Sequence, residues 1–153
     1  MAVTNPPPGY HSVTPYLIVN DSVAAIDFYK KAFGAVEQFR FEHEGRIMHA
    51  ELKIGDSHIM LSDEWTEMGY RSARNIGGTP VSLMIYVPNV DEVYARAIDA
   101  GATERSPVED QFYGDRSGNL TDPFGHQWTI GTHVKDIPPE EMEQKFKEMM
   151  ATM

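Results

Sequence analysis

Asp122-Pro123-Phe124-Gly125-His126-Gln127-Trp128-Thr129-Ile130 has a counterpart earlier in the chain, Gly55-Asp56-Ser57-His58-Ile59-Met60-Leu61. In each, a glycine-marked turn runs into a short alternating stretch that suits a returning strand. Working outward, Phe33-Gly34-Ala35 and Ala100-Gly101-Ala102 occupy matching places, each with its glycine where a helix C-terminus is expected. The first helix opens at Asp21 or Ser22 and carries Ala24, Ala25, Phe28, Tyr29 and Phe33 at helical spacing. The second opens at Asn89-Val90-Asp91 and carries Val93, Ala95, Ala97 and Ile98. Strands are expected over residues 11–19, 37–42, 46–54 and 57–62, and again over 81–87, 103–107, 119–121 and 127–131. The chain is therefore read as an α+β fold of tandem βαβββ modules.

The boundaries follow from that repeat: a Pro-rich leader at 1–9, a first module at 10–64, a connecting loop at 65–79, a second module at 80–134 and a C-terminal helix at 135–153. The leader reads as a stiff exposed segment, with bracing of an oligomer neighbour as the other reading. The terminal helix, with Met142, Phe146, Met149 and Met150 as its apolar stripe, is expected to pack on its own chain, with a dimer arm as the alternative.

Charge and composition exclude several classes of function. A formal net charge of −10 argues against nucleic acid or an anionic membrane as partner. With no cysteine, there is no disulfide, thiolate metal site or cysteine nucleophile. No apolar run approaches the roughly 20 residues that span a bilayer, and the first residues lack the basic and apolar regions of a signal peptide. A cytoplasmic protein is expected.

Thr14-Pro15-Tyr16-Leu17-Ile18-Val19, Ala25-Ile26-Asp27-Phe28-Tyr29 with Phe33-Gly34-Ala35, and Asp122-Pro123-Phe124-Gly125-His126 occur in an order that resembles the vicinal oxygen chelate superfamily over residues 12–132. Ile47-Met48-His49-Ala50-Glu51-Leu52 and Phe112-Tyr113-Gly114-Asp115-Arg116 look like its PhnB-like glyoxalase/bleomycin-resistance branch. The resemblance implies two curved sheets with their helices outside and a ligand cavity on the concave faces. It also implies, in metal-bearing members, four ligand positions, which here fall on Thr14, Met60, Ser82 and Thr129. None offers an imidazole or carboxylate, so no zinc, nickel, manganese or iron cofactor is expected. A homodimer is expected by resemblance.

Polar candidates remain. Strict alternation puts Met48, Ala50, Leu52 and Ile54 under the helix, and turns Ile47, His49, Glu51 and Lys53 toward the concave side with Thr14, Tyr16, His58, Met60 and Ser62. His49 and Glu51 are the candidate acid–base pair, a solvent-facing pair being the other reading. Tyr16, Met60, Met84, Trp65, Gln111, Tyr113 and Arg116 are the candidate ligand-binding residues. Gln111–Arg116 is expected to be a loop over the cavity that has no counterpart in the first module. Within it Arg116 suits a carboxylate or phosphate, and Asp115 a structural role. Trp65, Tyr70 and Arg71 can stack on a planar ligand or pack among themselves. Asp122 reads as a turn-former, and His126 and Trp128 as core or interface residues. The function expected is metal-independent binding of a small organic ligand in the cavity between modules, such as drug or metabolite sequestration. The alternative is a glyoxalase- or dioxygenase-like lyase, isomerase or transferase. It would use a divalent metal held by His49, Glu51 or His58, or else the His49–Glu51 pair.

Overall fold

The computed structural model describes residues 2–153. The first module runs β1 (Tyr16–Val19), α1 (Ser22–Phe33), β2 (Val36–His43), β3 (Arg46–Ile54) and β4 (Ser57–Asp63). The second runs β5 (Ser82–Tyr86), α3 (Val90–Asp99), β6 (Thr103–Asp110), β7 (Asp115–Thr121) and β8 (Gln127–His133). A 3-10 turn (Thr66–Met68) and the short helix α2 (Ala73–Ile76) fill the connection, and α4 (Pro139–Ala151) closes the chain. The two sheets have strand orders β1-β4-β3-β2 and β5-β8-β7-β6. In each, the module's first strand pairs parallel to its last and the other pairings are antiparallel. This is the tandem α+β architecture that the repeat implied.

Helix α1 starts where the Asp21 side chain accepts from the Ala24 amide, and ends where Gly34 turns left-handed and its N–H reaches Lys30 O. Its buried face carries Ala25, Ile26, Phe28, Tyr29, Ala32 and Phe33. The modules meet on this helical side. Phe28, Tyr29 and Phe33 of the first pack against Phe124 and Trp128 of the second, with the Phe33 and Trp128 rings 4.7 Å apart. Asp122, 1% exposed, lies within this joint. It accepts from the Tyr29 hydroxyl at 2.5 Å, the Trp128 indole N–H at 2.9 Å, and the amides of Phe124 and His126 at 2.9 and 3.0 Å. Arg96 of α3 donates to Ala32 O, and the His126 ring is 3.0 Å from Ile18 O. Asp122 forms its turn as expected, and it also ties the modules together.

Several strand limits differ from the expected ones, each for a local reason. β1 starts at Tyr16, since Pro15 has no N–H and contributes only its carbonyl, to Met60. β7 begins at Asp115 rather than 119, because Gly118 is a strand residue. A Cβ there would lie 2.8 Å from the Tyr94 ring and 3.0 Å from Val108. β6 continues past Pro107 to Asp110 through a register shift between Ser106 and Glu109 on the sheet edge. Gln111–Arg116 is accordingly no separate loop. Gln111 to Gly114 turn the β6–β7 hairpin, Asp115 and Arg116 open β7, and the equivalent turn in the first module is at Glu44-Gly45. The α4 helix has no buried residue and touches the body where Phe146 meets Phe112, so packing on its own chain is slight.

Two variants test the joint. Tyr29→Phe removes one of four donors to a buried carboxylate and should cost about 1–3 kcal/mol in urea unfolding. Asp122→Ala leaves all four donors without that acceptor and should cost more, about 3 kcal/mol or above. Equal and negligible losses in the two would show that the aromatic packing alone holds the modules.

Candidate functional site

The first module's open face is set by register. Tyr16 of β1 lies opposite Met60 of β4, Met60 opposite Glu51 of β3, and Glu51 opposite Phe39 of β2, so a row crosses all four strands. His49 lies two pairs along on the same face, opposite Phe41. Strict alternation fails beyond it, because the β2–β3 register slips by one residue between Phe41↔His49 and Glu42↔Ile47. The bulge exchanges two expected faces: Ile47 enters the core at 1% exposure, while Met48 lines a cleft.

Three of the sequence candidates are joined by hydrogen bonds. The Tyr16 hydroxyl is 2.9 Å from His49 Nδ1, and His49 Nε2 is 2.7 Å from Glu51 Oε2. With Glu51 ionised, its carboxylate only accepts; Nε2 then carries the ring proton and Nδ1 accepts from Tyr16. Burial pushes the His49 imidazole below its ordinary pKa. Burial also raises Glu51, with the nearby His58 opposing. The two ordinary values thus move toward each other, which lowers the cost of passing a proton along the chain. Phe39 and Phe41 flank His49 at ring distances of 5.9 and 6.2 Å, and Phe41 is 62% exposed.

Tyr16 also lines a cleft of about 380 Å3 with Met48, Ser62, Trp65 and Tyr70. Trp65 and Tyr70 exchange backbone hydrogen bonds of 2.7 and 3.0 Å, and the Arg46 guanidinium sits 5.8 Å over the Trp65 ring. A second cleft, of about 820 Å3, opens between the modules against Thr14, His58, Met84, Tyr86 and Trp128. Met84, on this second cleft, is thereby separated from the Tyr16–Met60 row.

The remaining candidates are engaged elsewhere. Arg116 gives its Nε and Nη2 to Asp91 and its Nη1 to Asp110, so both sides of its fork are filled by this chain's own carboxylates. Its pKa rises for the same reason. Gln111 donates to Glu109 O and Ser117 O, and Tyr113 packs on Phe112. Gly114 is fixed by crowding, since a Cβ there would fall 2.1 Å from Lys135 O. Arg71 is held by Asn75.

A second polar cluster was not anticipated. Asp115, 4% exposed, accepts from the Tyr86 hydroxyl at 2.8 Å and lies 2.8 Å from His133 Nδ1, whose Nε2 is 2.7 Å from Asp136. Asp136 and Asp115 raise the His133 pKa. The sequence signal was the pairing of Asp115 with His133, hidden because β7 and β8 were both read too short.

The superfamily's metal does not fit these residues. Of its four positions, Met60 and Thr129 lie opposite Tyr16 and Met84, and Thr129 Oγ1 is spent on Asn119 at 2.5 Å. His49 and Glu51 are bonded to each other, and no group of three or more His, Asp or Glu side chains among the described residues is placed to hold an ion. A donor set of thioether and hydroxyls is poor for a divalent cation.

The paired βαβββ sheets and their open faces find a match beyond this chain. The profile of the Glyoxalase/Bleomycin resistance protein/Dioxygenase superfamily covers residues 9–130. The chain belongs to that superfamily. It is 42% identical over 136 residues to an uncharacterized protein of Mycobacterium tuberculosis, covering 86% of this chain and 80% of that one. A solved Arabidopsis thaliana gene product is similar at 28% identity and a TM-score of 0.65, over 79% of this chain and 98% of that one. TioX from Micromonospora sp. ML1 is also similar, at 28% identity and 0.64, over 80% and 98%. A PhnB protein from Bacillus cereus shares the fold at 17% identity and 0.61, over 80% and 99%.

The two histidines of these clusters should affect stability with opposite signs. His133 is raised above its ordinary 6.5, so its contribution is fully present below pH 6.5 and is lost as pH rises through its folded value. His49 is lowered, so the unfolded chain binds the proton first, and stability falls as pH drops from 6.5 toward its folded value. NMR titration of the ring protons should place His49 below and His133 above 6.5. His133→Gln should flatten the alkaline limb alone.

Proposed function

We propose that this protein is a metal-independent member of the superfamily that binds a small organic molecule at the Tyr16 cleft of its first module, serving as a drug or metabolite sequestration protein. The observation that carries the reading is the Tyr16–His49–Glu51 chain beside an aromatic-lined cleft of about 380 Å3. Trp65 and Tyr70 supply π faces for a planar body, the Tyr16 hydroxyl supplies one polar contact, and Phe39 and Phe41 flank His49. A second reading rests on the same three residues: a general-base enzyme in which Tyr16 takes a proton from the bound molecule as its own passes to His49 Nδ1 and the Nε2 proton passes to Glu51. Two further expectations accompany this reading. A homodimer would cover the exposed Phe146, Met149 and Met150 of α4. A cytoplasmic site accords with the finding that no helix among the described residues is long and apolar enough to cross a membrane.

Tyr16→Phe should weaken binding of responding members of a panel of planar antibiotics and small aromatic carboxylates about tenfold, the worth of one hydrogen bond. Trp65→Ala should weaken it by about tenfold or more. If His49→Ala abolishes turnover of a panel member while its affinity is retained, the enzyme reading replaces sequestration. Stoichiometric metal after mild dialysis, or saturable thermal stabilisation by Ni, Zn, Mn or Fe, would overturn metal independence.

A further inference from the structure

His58 in β4 is 9% exposed, lines the cleft of about 820 Å3 between the modules, and its Nδ1 is buried with no hydrogen-bond partner. A buried imidazole nitrogen left without a partner is disfavoured, and such a group in a concave site marks a place where another molecule can complete the pairing. What covers it is the leader. The Tyr10 ring lies on the His58 ring at a centroid distance of 4.0 Å and an angle of 15°, and a Cβ at Gly9 would lie 3.6 Å from the same ring. This stack uses the imidazole face and gives Nδ1 nothing.

The leader is lightly held. Residues 2–9 are exposed, and the Tyr10 N–H donates to Pro7 O, three residues back in the same segment. Among the described residues no hydrogen bond joins residues 2–10 to the sheet. A ring stack of this kind biases a two-state equilibrium by roughly tenfold at most, within reach of a competing ligand. The cleft beyond is mixed in character, with Met84, Trp128 and Leu83 as apolar walls and Thr14, Asp56 and Tyr86 as polar ones.

We propose that His58 anchors a second ligand site, specific for a planar aromatic molecule bearing a hydrogen-bonding substituent, and that Tyr10 occupies the stacking position until such a molecule displaces it. The ligand ring replaces the Tyr10 ring on His58, and a hydroxyl on a flexible arm bends out of the ring plane to the imidazole edge, giving Nδ1 the partner it lacks. The two clefts share no lining residue.

The probe is 2-(2-naphthyl)ethanol, whose hydroxyl sits on a flexible arm, followed by the His58 ring resonances in the full chain. Tyr10→Ala should raise its affinity by up to about tenfold, since the covered state no longer competes. Tyr10→Ala/His58→Phe should lose the gain while keeping an aromatic surface. The His58 response should persist in Tyr16→Phe; its loss there would assign the signal to the other cleft and overturn the second site. Equal affinity in wild type and Tyr10→Ala, or no His58 shift in either near the solubility limit of 2-(2-naphthyl)ethanol, overturns the proposal as well.

Discussion

The arrangement of the molecule depends on one buried carboxylate. Asp122 gathers the Tyr29 hydroxyl, the Trp128 indole and two turn amides. A charged group with almost no water contact is tolerated only when its lone pairs are filled, and four donors fill them. Two of those donors are side chains from different modules, so the bond network and the surrounding aromatic rings enforce the same joint. Tyr29 is affected in turn: burial, then the neighbouring carboxylate, pushes its pKa well up and keeps the phenol a donor.

Joining the modules through their helices leaves both sheets with an uncovered face. The first strands of the modules, β1 and β5, are both sheet edges, and the larger cleft opens between them. This explains why large apolar side chains such as Phe39, Phe41, Met84 and Tyr86 remain exposed in a protein with a well-filled core. Exposure of several such groups in neighbouring rows is what a binding surface requires and what an isolated folded domain ordinarily avoids. The constraint at Asp122 and the availability of the cleft residues are consequences of one packing choice.

The repeat, the helix of each module and the order of strands were legible in the sequence because they rest on local signals: caps at Asp21 and Asn89, a left-handed glycine at Gly34, and period-two alternation. The chain of Tyr16, His49 and Glu51 was legible in part, since two residues apart on one strand must share a face. Tyr16 joined them only through the pairing of β1, β4 and β3. What could not be read were the places where backbone geometry breaks a period. Met48 and Ile47 exchange faces across a bulge, and Gly118, just outside the expected strand, belongs to β7 and admits Tyr94 into the space a Cβ would fill. The carboxylate partners of Arg116 were equally hidden, because Asp91 is 25 residues away and on a helix.

The duplicated module has also divided its chemistry. The row Tyr16–Met60–Glu51–Phe39 in the first sheet corresponds to Met84–Thr129–Asn119–Ser106 in the second. Where the first has a carboxylate bonded to an imidazole, the second has an amide accepting from a hydroxyl, which cannot titrate near neutral pH. The second module's titratable groups lie farther along, where Asp115 joins Tyr86 to His133. There the imidazole is held toward its charged form by two carboxylates, whereas burial holds His49 toward its neutral form. One backbone pattern thus presents a proton acceptor on one face and a proton-bearing group on the other. The equivalent rows offer different donors, a thioether beside a carboxylate in the first sheet and a hydroxyl beside an amide in the second.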